Sequence, residues 1–139
     1  MKKTPLLLTI LIVAALTLSA CGSNASLKDT TWKLVSYGKS ASDQTPAVAD
    51  INANVTFGAD GQVNGNMGCN SFSGSYELKG DKIVFGPIMS TMMACQGPGM
   101  DQEAAAFNVL HDTVTASLNG STLTLTGPDG GVLVLELQQ

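Results

Sequence analysis

Apolar and polar residues alternate with a period of two over most of the chain after residue 30. In Trp32-Lys33-Leu34-Val35-Ser36-Tyr37, Trp32 and Leu34 fall on one face and Lys33 on the other, as in a half-buried strand. Residues 38–53 are polar, carry Pro46 and read as a loop. Val55-Thr56-Phe57 opens a second strand, Asp60-Gly61 is a hairpin signal, and Gln62 to Asn66 returns as a third. Gly68 to Ser75 is too rich in Gly, Asn and Ser for a helix and reads as a bend that opens into a strand. Ser75 to Leu78 and Lys82 to Phe85 flank Gly80-Asp81, so Tyr76, Leu78, Ile83 and Phe85 share one buried face. Gly86-Pro87 and Gly97-Pro98-Gly99 are breaks on either side of a methionine-rich, extended or irregular segment, Ile88 to Cys95. Helical spacing occurs once, over Asp101 to Asp112, where Ala104, Phe107, Leu110 and His111 recur on one face. Asp101 and Glu103 lie where the partial positive charge of its amino terminus favours acids. Three further strands follow, Val114 to Leu118, one centred on Leu123 and Leu125, and Val132 to Leu137, turned by Asn119-Gly120 and by residues 127–131.

Short strands with short connections pair antiparallel. The expected fold is therefore α+β and mostly β: a curved antiparallel sheet, a half-open barrel, wrapped around one helix that plugs the open side. Residues 27–139 form one domain, with no repeat of solenoid length.

The amino terminus follows a different pattern. Lys2 and Lys3 precede an apolar run, Leu6 to Leu18, that is short for a membrane span and ends in Leu18-Ser19-Ala20-Cys21. This is a lipobox, the pattern of a bacterial lipoprotein leader over residues 1–20. The competing reading is an ordinary secretory leader cut after Ala20. With the lipobox, Cys21 carries the lipid, residues 21–26 are a lipidated tether, and two or three acyl chains give stable anchoring where one does not. Gly22 in place of an aspartate favours the periplasmic face of an outer membrane if the source has one, and otherwise the outer face of the cell membrane.

Charge narrows the partners. The chain has seven basic and eleven acidic residues, and without Lys2 and Lys3 the balance is five against eleven, about −6. It contains no arginine, which argues against nucleic acid and other polyanions. Once Cys21 is lipidated, Cys69 and Cys95 remain. In an oxidising compartment they pair as a disulfide. Free thiols, a metal site and a cysteine nucleophile assisted by His111 are the alternatives. Zinc wants four ligands, and the chain offers one histidine.

The motifs together resemble the META domain, or HslJ-like, family of small bacterial envelope proteins. The matching pieces are Leu27 with Thr31-Trp32-Lys33-Leu34, Val55-Thr56-Phe57, Asp60 to Gly65, Gly68-Cys69-Asn70, Ser73-Gly74-Ser75-Tyr76, Ser90 to Cys95, Glu103, Phe107 and Leu110, and Leu123-Thr124-Leu125. They span nearly all of residues 27–137. The family pattern has a basic residue between Thr91 and Met93, and here Met92 stands there. The resemblance implies a curved antiparallel sheet around a helix, a likeness to secretin pilot lipoproteins, and a link to heat shock and envelope stress without enzymatic activity. It makes Gly68, Asn70, Ser73, Gly74, Tyr76, Thr91 and Met93 the motif residues of a structural or binding surface.

No phosphate loop, nucleophile elbow or acid–base pair stands out, and no catalytic residue, cofactor or metal is expected. The reading is a non-enzymatic, membrane-anchored lipoprotein that binds a protein or apolar partner of the envelope. One alternative is a lipocalin-like carrier of a small apolar ligand, which needs a hollow sheet. Another is a copper binder using Met89, Met92, Met93 and Met100. The acids and His111 read as solvated surface, with His111 near the last helical carbonyls.

Overall fold

The computed structural model describes residues 26–139. The expected leader over residues 1–20 and Cys21, the expected lipidation site, lie outside the described residues. Ten strands and one helix follow in order: β1 (Thr30–Ser40), β2 (Asp43–Pro46), β3 (Asn54–Phe57), β4 (Gln62–Asn66), β5 (Ser71–Lys79), β6 (Lys82–Phe85), β7 (Met89–Ser90), α1 (Pro98–Phe107), β8 (Thr113–Asn119), β9 (Thr122–Thr126) and β10 (Val132–Leu137).

All pairings are antiparallel. The strands run β10-β9-β8-β6-β5-β4-β3-β1, and β1 also pairs with β10, so eight strands close into a barrel. The half-open wall expected from the pattern is thereby corrected. Trp32 lies opposite Leu137 and Gly38 opposite Val132, with a register shift between Leu34 and Ser36. A closed barrel of this size is just wide enough for side chains to fill it. Trp32, Phe57, Ile83, Leu123, Leu125, Leu133 and Leu135 do so and are almost fully buried. Phe57 meets Tyr76 edge-on at 5.0 Å. The hollow that a lipocalin-like carrier requires is filled.

Three local expectations also change. Residues 38–53 are not all loop: β1 runs on to Ser40 and β2 folds back on it, because Gly38 has no Cβ, which would lie 1.8 Å from the Asp43 carbonyl oxygen. The Ser73-Gly74-Ser75 stretch is strand, not bend, since β5 begins at Ser71. The helix starts earlier and ends earlier than its apolar spacing suggests. Pro98 occupies its first turn, where a fixed φ and a missing N–H cost nothing, after Gly97 at φ 97°. The helix also sits at one end of the barrel instead of completing its wall. Gln102, buried there, accepts from the Val48 N–H at 2.7 Å and donates to the Met67 carbonyl at 2.7 Å.

The two ends of the barrel differ. At one, Leu27 is buried, the Asp29 N–H donates to the Phe57 carbonyl at 2.7 Å, and the hairpins at 58–61, 80–81 and 120–121 cluster. The Asp60-Gly61 signal marks a four-residue loop there, with only Gly61 at positive φ, 81°. At the other end lie residues 46–53, the 67–70 loop, α1 and the 127–131 turn. Among the described residues no helix is long and apolar enough to cross a membrane.

Candidate functional site

The loop between β4 and β5 is built around a buried carboxylate. Glu103 on α1 is 5% exposed. Its Oε2 accepts the Cys69 N–H at 2.8 Å and also the Asn70 N–H, and its Oε1 accepts Asn70 Nδ2 at 2.7 Å. Asn70, 4% exposed, uses its other side-chain atom in the opposite sense. Its Oδ1 accepts Thr91 Oγ1 and the Met93 N–H, each at 2.8 Å. The carboxylate thus orients Asn70, and Asn70 holds the segment that follows β7. Hydrogen bonds to a charged group contribute about 1.5–3 kcal/mol each, so this chain is a strong local tie.

Close approach of backbone makes the chain possible. A Cβ on Gly68 would lie 2.0 Å from the Gly99 carbonyl oxygen and 2.8 Å from Glu103 Cβ. No other residue lets the loop reach the first turn of α1. Asn66 Oδ1 accepts the Gly68 N–H at 2.9 Å and tightens the turn. The Cys69–Cys95 disulfide, with its Cα atoms 6.0 Å apart, adds a covalent tie from the loop to the end of the methionine segment.

The motif residues do not converge on one point. Gly68, Cys69, Asn70, Thr91 and Met93 belong to this junction. Ser73 is exposed on β5 opposite Met89. Gly74 leaves room for the kink at Pro87 and Ile88, since its Cβ would lie 2.6 Å from Ile88 Cδ1. Tyr76 points into the barrel and donates to the Gly58 carbonyl at 2.7 Å. Burial, and secondarily Asp60, push its phenol above the ordinary value of 10.0. His111 contacts the Asp112 carboxylate at 3.1 Å and not a helical carbonyl.

Glu103 was legible as a favourable terminal acid and as one of the matching META positions, and the signal for its role as an acceptor was its spacing. Gln102, Glu103, Ala106, Val109 and Leu110 fall on one helical face, and that is the face α1 and its extension bury. Ala104, assigned to the apolar face, is exposed.

The junction supports a surface. Met89, Met92 and Met93 are 70%, 96% and 55% exposed although the segment carrying them is pinned. A cleft of about 390 Å³ lies between this segment and α1, lined by Thr91, Met92, Met93, Met100, Ala104 and Phe107 among others. Phe107 stands edge-on to Phe72 at 5.6 Å. Among the described residues no group of three or more His, Cys, Asp or Glu gathers at one point.

The META domain family model matches residues 25–139, which is most of the chain and all of the barrel. The chain belongs to the META domain family. Among solved structures, this META domain is similar to a protein from Burkholderia xenovorans determined by NMR, with 27% identity, a TM-score of 0.68, and 81% of this chain and 84% of that one covered. A second NMR structure has 21% identity, a TM-score of 0.63, and 78% and 89% coverage. A duf4847 family protein from Bacteroides vulgatus has 16% identity, a TM-score of 0.52, and 78% and 92% coverage. The last two likenesses concern the fold alone. No curated protein matches the chain.

Proposed function

We propose that this META domain is a non-enzymatic, lipid-anchored protein of the bacterial cell envelope that binds a protein partner. The observation that carries the reading is the pinned methionine segment. Three large apolar side chains stand in solvent on a backbone held by Asn70 and stapled by Cys95. Apolar surface kept exposed on an ordered scaffold is characteristic of a binding face, and methionine adapts its shape to varied partners. Glu103 supports a structural role over a catalytic one, because both its oxygens are engaged inward.

The anchor follows from the lipobox at Leu18 to Cys21. Residues 22–26 reach at most roughly 20 Å at about 3.3–3.6 Å each, so the barrel works close to the lipid. A role in envelope stress is in keeping with a small tethered binder. The test is mass spectrometry of the membrane fraction combined with photo-crosslinking from position 92. An acyl mass on Cys21 and a discrete crosslinked protein are expected. An unmodified amino terminus would remove the anchor, and absence of any adduct would remove the partner.

A further inference from the structure

We infer that the end of the barrel away from the tether docks a cationic, apolar segment of the partner; the inference rests on the protein-partner reading above. Charge is divided unequally along the barrel axis. The end where the chain enters through Leu27 holds Lys28, Lys33, Lys79 and Lys82 against Asp29, Asp60, Glu77, Asp81 and Glu136. The opposite end holds Lys39 alone against Asp43, Asp50, Asp101, Glu103, Asp112 and Asp129. Nearly the whole net charge therefore sits on the end that carries the methionines. From Ile83 to Gln139 there is no lysine or arginine.

The relief of this end suits a single chain segment. A second cleft, of about 500 Å³ and lined by Ile88, Phe107, Leu110, His111 and Asp112, shares Ser90 and Phe107 with the cleft beside Met92. The two make one open-sided groove between the Pro87–Ala94 segment and the face of α1, with Asp112 in its lining and exposed Asp101 next in the chain to Met100, which also lines it. One wall is β7, which pairs only with β5, so its other edge carries no strand among the described residues.

Charge selects among occupants. Anionic lipid and acidic peptides are repelled by this end. A second copy docking through the same face would set this acidic end against its own copy, which an isologous contact cannot relieve. An open groove does not enclose a small apolar ligand as a pocket would. A segment with apolar side chains for Met92, Met93 and Phe107, and lysine or arginine for Asp101 and Asp112, satisfies both features.

The test uses the full chain in detergent with methyl-labelled methionine, titrated with a short synthetic Lys/Leu peptide and with its Glu/Leu counterpart. The Lys/Leu peptide is expected to shift the methyl resonances of Met92, Met93 and Met100, which line the groove, and leave buried Met67 unmoved. A Met92→Ser, Met93→Ser double variant and an Asp101→Asn, Asp112→Asn double variant should each bind about tenfold more weakly. Asp81→Asn, at the tether end, should bind unchanged. Equal binding of the Glu/Leu peptide, an Asp81→Asn loss as large as that of the distal pair, or unmoved Met92 and Met93 resonances would each overturn the inference. A partner crosslinked from the barrel wall, with no peptide effect at the methionines, would overturn it and leave the partner reading standing. Peptide binding without any crosslinked partner in cells would take down the partner reading instead.

Discussion

Replacing Glu103 tests the junction most directly. In Glu103→Ala, three donors lose their acceptor inside the protein: the Cys69 N–H, the Asn70 N–H and Asn70 Nδ2. Each unsatisfied buried donor costs about 1–3 kcal/mol. The sum is partly offset because a buried carboxylate no longer has to be desolvated and because water enters the space left behind. A net loss of about 3–5 kcal/mol is expected, a large share of the stability of a domain this small. Glu103→Gln is the sharper variant. If its oxygen serves the two backbone N–H groups, its amide nitrogen faces Asn70 Nδ2, donor to donor. Turning Asn70 over repairs that contact and sets its nitrogen against the Met93 N–H. One hydrogen bond must fail in either arrangement, at a cost of about 1–3 kcal/mol. Urea unfolding with the disulfide intact gives the totals, and amide exchange at Asn70 and Met93 shows where the loss falls. A Glu103→Ala protein within about 1 kcal/mol of the parent, or a Glu103→Gln protein as stable as the parent, would refute the argument.

Gly68→Ala should destabilise by about 2–3 kcal/mol, because the obstructing atom is Gly99 backbone and cannot swing aside; a thermal melt within a degree of the parent would contradict this. Removing the disulfide by reduction or by paired serine substitution should cost about 3.5 kcal/mol for a sequence separation of 26, measured by denaturant unfolding, while the Met93 amide keeps much of its protection through Asn70. Tyr76→Phe leaves the Gly58 carbonyl without its donor and should cost about 1–2 kcal/mol at neutral pH. Because the phenol of Tyr76 is raised above 10.0 in the folded protein, its stabilisation is complete below that pH and is lost as pH rises through the folded-state value. The Tyr76→Phe protein should therefore lose less stability between neutral and strongly alkaline pH, and an unchanged alkaline profile would show that another group governs it.

Much of the wall was legible because a strand buried on one face must alternate. The alternating apolar positions Trp32 and Leu34, Ile83 and Phe85, Leu123 and Leu125, and Leu133 and Leu135 are all buried. Leu137 continues the same alternation but is more than a third exposed at the barrel rim, where the core has ended. The helix was harder to place. It spans ten residues, begins in a Gly-Pro-Gly stretch that reads as a break, and buries Gln102 and Glu103 in place of an apolar stripe.

Local sequence determined the inward and outward faces of most strands, most of their turns and the acidic balance, since each is set within a few residues or by composition. It could not determine that the barrel closes, because β1 and β10 meet across about a hundred residues and neither strand encodes its partner. Nor could it show that Glu103 is the acceptor for Cys69 and Asn70, or that the acids gather at one end. Those follow from packing distant segments together, where a side chain is ranked by the donors it meets and not by its neighbours along the chain.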